Sequence, residues 1–234
     1  LLADDPRLEL IVSDHSDLPA ALRLGRARVE TPWFTSIDDD DTLLAGALAR
    51  RLAAGELHPE AIAVVTNGLR RSVTGDVRHL ESFDTIRPDP LQAMLDLNWL
   101  LPGSWLCRTS AVPEQVFGEM PRYLECTYLG LRLSLMGPIV FLDEPTVAWS
   151  TDTPGSLSKS REYLLGQSDA LERLLSLPLP TRIHAGLSAK VASALHGAAA
   201  LHLQEGRWRA AWRSHCRCLQ TRTGWRYGAF TLRL

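Results

Sequence analysis

Thr35-Ser36-Ile37-Asp38-Asp39-Asp40-Asp41 is the stretch on which the reading of this chain turns. An apolar run over 33–37 feeds straight into four consecutive aspartates. Neighbouring like charges repel, and their cost is tolerated best where a cation neutralises them. Carboxylate oxygens suit hard ions such as magnesium or manganese, which commonly bridge to substrate phosphates. The competing explanation is a solvated acidic turn capping the helix after it, since acids favour helix N-termini. Asp38, Asp40 and Asp41 are therefore candidate metal ligands, with Mn2+ or Mg2+ as the ion.

Upstream, the branched apolar run 8–12 is closed by Ser13-Asp14-His15-Ser16-Asp17. It reads as a buried parallel strand with a functional loop at its carboxyl end. Asp17 can cap a helix over 18–29, and Thr31-Pro32 ends it, because proline bars helical geometry at the residue before it. A strand over 33–37 and a helix over 43–54 follow. Strand, helix, strand, helix predicts a parallel sheet in an α/β fold, with ligands just beyond the carboxyl ends of its strands. Both acidic loops lie there.

Downstream, 61–69 and 77–83 resemble a hairpin around Val73-Thr74-Gly75-Asp76. A short helix is predicted over 91–97, a strand over 105–108 and a helix over 124–136 ended by Gly137-Pro138. Two short strands over 139–142 and 146–149 come next, and the pattern is helical from about residue 157, with breaks at Pro178-Leu179-Pro180 and near Gly206.

The 234 residues, 45% apolar and 22% charged, have the composition of a soluble globular protein. A net charge of −2 argues against a nucleic-acid binder. The charge is uneven, however: from Gln204 onward there are seven arginines and one acid, Glu205. The four cysteines are sparse, and Cys216-x-Cys218 without partners is poor metal-site spacing, so reduced thiols in a cytosolic protein are expected. No apolar run approaches the roughly 18 residues that span a bilayer. The opening Leu1-Leu2-Ala3, without methionine and followed almost at once by the 8–12 run, reads as a chain entered partway through a domain.

In their order, these segments resemble the family-2 glycosyltransferases of GT-A fold. Leu10-Ile11-Val12-Ser13-Asp14 is similar to the family's apolar strand ending in Asp, and Ile37-Asp38-Asp39-Asp40-Asp41 to its strand ending in Asp-x-Asp-Asp. The 21–30 stretch between them looks like its Ala/Arg/Gly-rich helix. Leu101-Pro102-Gly103-Ser104-Trp105-Leu106-Cys107-Arg108 resembles the strand before the acceptor site, and Glu125-Cys126 the Glu-Asp pair opening a helix that ends in Leu131-Arg132-Leu133. The resemblance covers roughly 1–160 and implies a GT-A domain there, a mixed sheet flanked by helices, with a helical appendage over 161–234.

The resemblance further implies a donor site in which Asp14, Asp38 and Asp39 contact the nucleotide-sugar, while Asp38, Asp40 and Asp41 hold the metal. It implies an inverting enzyme that needs a carboxylate to deprotonate the acceptor hydroxyl. The family's second residue of the pair is here Cys126, and a thiol near pKa 8.5 is a poor base, which leaves Glu125 as the catalytic candidate. Glu119 is a more distant one. Ser104 and Trp105 are acceptor-side candidates, and Asp152 stands where the family often has a metal-binding His. The family's first strand has no counterpart before Leu1. His15 is expected to be a polar loop residue, and Trp99 and Trp105 either to stack on a sugar or to pack half-buried.

For the tail, Trp208, Trp212 and Cys216 recur at four-residue spacing among the arginines. A helical cap with its tryptophans packed on neighbours is the expectation, with peripheral contact to an anionic membrane as the alternative. The function expected is sugar transfer from a nucleotide-sugar donor to a glycan or lipid-linked hydroxyl acceptor, in the cytoplasm or at the inner face of the membrane, without nucleic acid. A non-catalytic nucleotide- or carbohydrate-binding relative and a helical interaction module beside a decayed transferase domain are the two alternatives.

Overall fold

A computed structural model describes residues 5–13, 17–153, 155 and 160–234. Its centre is β3 (Ala63–Ser72), which opens on apolar Ala63-Val64-Val65 and is buried on both faces through Gly68. β3 pairs in parallel with β6 (Ile139–Ser150), and antiparallel with β5 (Trp105–Arg108) along its first half and β4 (Gly75–Arg78) along its second. β1 (Trp33–Phe34) closes one edge on β5, and β2 (Thr42–Leu43) closes the other on β6. The sheet is therefore mixed, with one parallel pair, and not the parallel sheet that the alternating pattern predicted.

Successive strand residues point to opposite faces. Ala63, Val65, Trp105, Cys107 and Phe141 accordingly enter the main core, on the side of α3 (Pro90–Asp96) and α5 (Glu125–Met136). Val64 and Leu106 form a smaller cluster with Ala54 of α2 (Ala47–Leu57) on the other side. α1 (Leu18–Ala27) lies against the short α4 (Gln115–Gly118). The carboxylate of Asp17 caps α1 by accepting from the Ala20 N–H at 2.8 Å.

The two short strands expected over 139–149 are halves of β6. Asp143, Glu144 and Pro145 break the apolar pattern, and proline offers no N–H to a ladder. A register shift opposite Thr66 and Asn67 carries the strand across the break.

The expected strand over 8–12 does not form. Leu10 is 89% exposed and Val12 81%, and the segment joins no ladder among the described residues. Apolar alternation makes a strand only where a neighbour accepts its backbone hydrogen bonds and a face is buried.

The C-terminal helices α6 (Arg161–Leu175), α7 (Thr181–Gln204) and α8 (Trp208–Gln220) pack in sequence, and a 3-10 helix (Gly224–Arg233) folds back on α8. Leu174, Ile183 and Leu187 lie in one buried cluster with Met94, Leu95 and Trp99. α7 meets α3 closely: a Cβ at Gly186 would stand 2.4 Å from Leu95 Cδ1. Trp208, Trp212 and Trp225 are exposed, against the expectation that the tail's tryptophans pack on neighbours. Among the described residues no helix is long and apolar enough to cross a membrane.

Candidate functional site

The acidic loop lies between β1 and β2, and the sheet edges hold both its ends. The Thr35 hydroxyl donates to the carbonyl of Trp105 on β5. The Asp41 N–H donates to the Asp38 carbonyl at 3.2 Å and closes the turn. Antiparallel pairing of β2 with β6 brings Ser150 alongside, and its N–H donates to Asp41 Oδ1 at 3.1 Å. Beyond β6, the Thr153 hydroxyl donates to Asp40 Oδ2 at 2.7 Å. The turn thus gathers three carboxylates, with one oxygen each from Asp38, Asp40 and Asp41 lying within 4.8 Å of one another.

These three line a cavity of about 480 Å³. Its other walls come from Pro102, Tyr123, the opening of α5 with Glu125 and Cys126, Trp149 at the end of β6, and Tyr163 in the first turn of α6. No lysine or arginine lines it among the described residues. Arg51 of α2, wholly buried, is outside the lining and committed elsewhere: it donates to the carbonyls of Gly103 at 2.5 Å and Trp105 at 3.2 Å and to the Thr146 hydroxyl at 2.9 Å. Burial lowers its pKa to about 10, so it stays charged at neutral pH. It braces the Pro102-Gly103-Ser104 turn behind the cavity wall.

The cavity's negative groups bear the cost of that wall. Burial raises the pKa of Asp41 to about 6; the Ser150 N–H opposes this, and the charges of Asp38, Asp40 and Asp39 add to it. Asp38 is raised by burial and then by Asp40 and Asp39. Glu125 is pushed up to about 7, chiefly by burial, although its own backbone N–H pulls the other way. Being the first residue of α5, Glu125 also has the helix dipole in favour of its charge, and burial still wins. A small apolar recess formed by Leu18, Leu22, Met120 and Leu129 borders it. Its Oε1 is buried without a hydrogen-bond partner.

The residue before it, Leu124, has φ 64°, the left-handed region that a branched side chain rarely adopts. Such strain persists where surrounding structure over-determines it, and here it aims the first turn of α5 into the cavity.

A magnesium or manganese ion holds its oxygens at about 2.1 Å, so ligands of one ion stand roughly 3–4 Å apart. One oxygen from each of the three carboxylates already lies within 4.8 Å of the others, close to that spacing. The raised pKa values of Asp38 and Asp41 mark charge that a cation would relieve. The donor set fits.

The other sequence-predicted residues fall as follows. Asp39 is exposed and outside the cavity lining. Ser104 is fully buried, its hydroxyl donating to the Leu101 carbonyl at 2.9 Å and accepting from the Leu101 N–H at 3.0 Å. Trp105 is buried edge-on against Phe34 and borders only the apolar recess. Trp99 is buried too, so neither is half-exposed. The Asp152 carboxylate accepts from the Val73 N–H at 2.8 Å on the β3–β4 hairpin, away from the triad. Asp14 and His15 lie outside the described residues. Burial pushes the Cys126 thiol far up, which removes it as a base at neutral pH.

Sequence reasoning missed Tyr123, Thr153 and Tyr163. The two tyrosine rings stand edge to face at 5.4 Å. Tyr163 was hidden by its place in the predicted appendage, and no motif marks any of the three. No protein-family model matches the chain, and no curated protein sequence matches it.

Proposed function

We propose that this chain is a metal-assisted glycosyltransferase of GT-A type that moves a sugar from a nucleotide-sugar donor to a hydroxyl acceptor. One observation carries the reading. A carboxyl group with a pKa near 7 and an unpartnered oxygen, Glu125, opens into the same cavity as a three-carboxylate cluster.

A general base works best when its pKa lies near the operating pH, and Glu125 meets that condition. In the proposed reaction the acceptor hydroxyl oxygen bonds to the anomeric carbon while Glu125 takes its proton. The bond from that carbon to the diphosphate breaks, and the electron pair leaves with the diphosphate. A divalent cation held by Asp38, Asp40 and Asp41 supplies Lewis-acid stabilisation of that departing charge. The cavity walls offer no basic side chain for the purpose among the described residues. Tyr123, Trp149 and Tyr163 supply aromatic surface of the kind that binds sugar faces. Inversion at the anomeric carbon and the GT-A assignment rest on the family resemblance alone; the mixed sheet supports the coarser α/β class.

The test is calorimetric titration of uridine diphosphate with and without manganese, on the wild type and an Asp38→Asn/Asp40→Asn variant. Metal-dependent binding that the variant loses is expected. If uridine, guanosine and thymidine diphosphates all fail to bind in the presence of manganese, the reading is wrong.

A further inference from the structure

The region from Gln204 onward carries seven arginines against one acid, in a chain whose net charge is −2. In the fold this charge meets exposed aromatic surface. Trp208, Trp212 and Leu219 follow one stripe of α8, within roughly 40° of one another at 100° per residue. Trp208 is 52% exposed and Trp212 40%. The flank of α8 beside this stripe is committed: Ala211, His215 and Cys218 are buried, and the Cys218 thiol donates to the Ala192 carbonyl of α7 at 3.2 Å.

The 3-10 helix extends the exposed surface. The Trp212 ring stands 6.1 Å from that of His215, whose Nε2 pairs with the Thr231 hydroxyl at 2.8 Å. Beside Thr231, Leu232 is 91% exposed, and Trp225, earlier on the same helix, is 72% exposed. Trp212 therefore sits at the seam of α8 with the 3-10 helix, and both elements carry exposed apolar side chains.

The arginines around it are mostly uncommitted. Arg217 bonds Glu172 and Asp169 of α6, and Arg207 lies 3.6 Å from Glu205. Among the described residues, Arg209, Arg213, Arg222, Arg226 and Arg233 have no carboxylate within 4.0 Å. The Arg226 and Arg233 guanidinium groups lie over the rings of Trp225 and Phe230 at 5.7 and 5.4 Å.

We infer that this face of α8 and the 3-10 helix docks on an anionic lipid surface, its tryptophans entering the headgroup layer and its free arginines pairing with lipid phosphates. Charge complementarity selects an anionic partner. Flat, exposed indoles with one polar edge select the bilayer interface, where tryptophan concentrates, over a nucleic acid, whose recognition leans on phosphate contacts. No helix crosses the bilayer in this arrangement; the contact is peripheral, made by a face already anchored to α7. The inference stands independently of the sugar-transfer reading.

The test is sedimentation with vesicles of phosphatidylcholine alone or with about 30 mol% phosphatidylglycerol, with tryptophan emission read in parallel. Partitioning at least about tenfold stronger on the anionic vesicles is expected, weakening as salt rises from about 0.05 to 0.5 M, with a blue shift of emission. Arg209→Glu/Arg213→Glu/Arg226→Glu should lose that tenfold preference. Trp208→Ser/Trp225→Ser should lose most of the blue shift while keeping the wild-type melting temperature. Trp212 is left in place because it touches His215. Absent or equal binding to the two vesicle types overturns the inference, and so does an unchanged arginine variant. A short RNA that binds the wild type and displaces it from the vesicles assigns the face to nucleic acid instead.

Discussion

Asp41→Asn should stabilise the metal-free protein at neutral pH while weakening its response to metal. Burial and the neighbouring acids raise Asp41 from its ordinary 3.8 to about 6, so the folded state holds this proton more tightly than the unfolded chain. The sign follows from linkage: stability falls as pH rises wherever the native state binds more protons. The penalty is absent below the unfolded pKa, grows between about pH 4 and 6, and is fully present above. About two pKa units correspond to roughly 3 kcal/mol at the limit, and solvent access to this half-buried group reduces that to about 1 kcal/mol. Asparagine keeps the carbonyl oxygen that accepts from the Ser150 N–H, so the turn survives the change. For a chain of this size 1 kcal/mol is roughly 2–4 °C of melting temperature. Scanning calorimetry in chelator should show the variant melting that much higher at pH 7.5 and level with the wild type at pH 4. Manganese should raise the wild-type midpoint at pH 7.5 and the variant's by much less. A variant that melts lower than the wild type at pH 7.5 without metal would refute the reasoning, because Asp41 would then be a structural anion already compensated in the fold.

Glu125→Gln should cut turnover by about 10²–10⁴ with donor binding intact, and wild-type kcat/KM should fall as pH drops through about 7, where the base protonates; steady-state rates beside calorimetry separate the two effects. Leu124→Gly and Leu124→Ala remove the same side-chain contacts, yet the glycine variant should be the more stable by about 1 kcal/mol, because φ 64° penalises any Cβ; urea denaturation compares them. Gly166→Ala should cost about 1–3 kcal/mol and weaken ligand binding, since its Cβ would meet the Tyr123 ring at 2.2 Å and push it toward the cavity; thermal melts and donor titration read both.

The acidic triad was legible because its three members are nearly contiguous, and a turn of that length has few ways to separate them. Glu125 was legible as the opening residue of a strongly patterned helix. Tyr123, Thr153 and Tyr163 were not, because they converge from segments whose spacing in the chain says nothing of their spacing in the fold. Strand direction was equally hidden. Burial on both faces of β3 and β5 is the same whether the pair runs parallel or antiparallel, so helix–strand alternation misled toward a parallel sheet. The 8–12 run shows the reverse error: a pattern suited to a strand, with no ladder to receive it. At the tail the residue types were plain, but only the packing of α8 on α7 decided which rings face outward.

The distribution of charge around the cavity decides what kind of donor it can take. The chain places Arg51 behind the wall, bonded to carbonyls and a hydroxyl, and leaves four carboxyl groups in front. A free nucleoside diphosphate would bring its own negative charge into that field and be repelled. On the proposed reading, a divalent cation held by the same carboxylates would be the reason the diphosphate stays. Metal and nucleotide must then raise each other's affinity by one common factor, as linkage requires. Glu125 is also part of this coupling. The charge of Asp38 helps to hold its proton on, so neutralising Asp38 with a cation favours the ionised base. Under the proposed function, donor binding and readiness of the base would thus be joined through a single carboxylate, and the acidic wall that destabilises the empty fold would be what makes the loaded site reactive.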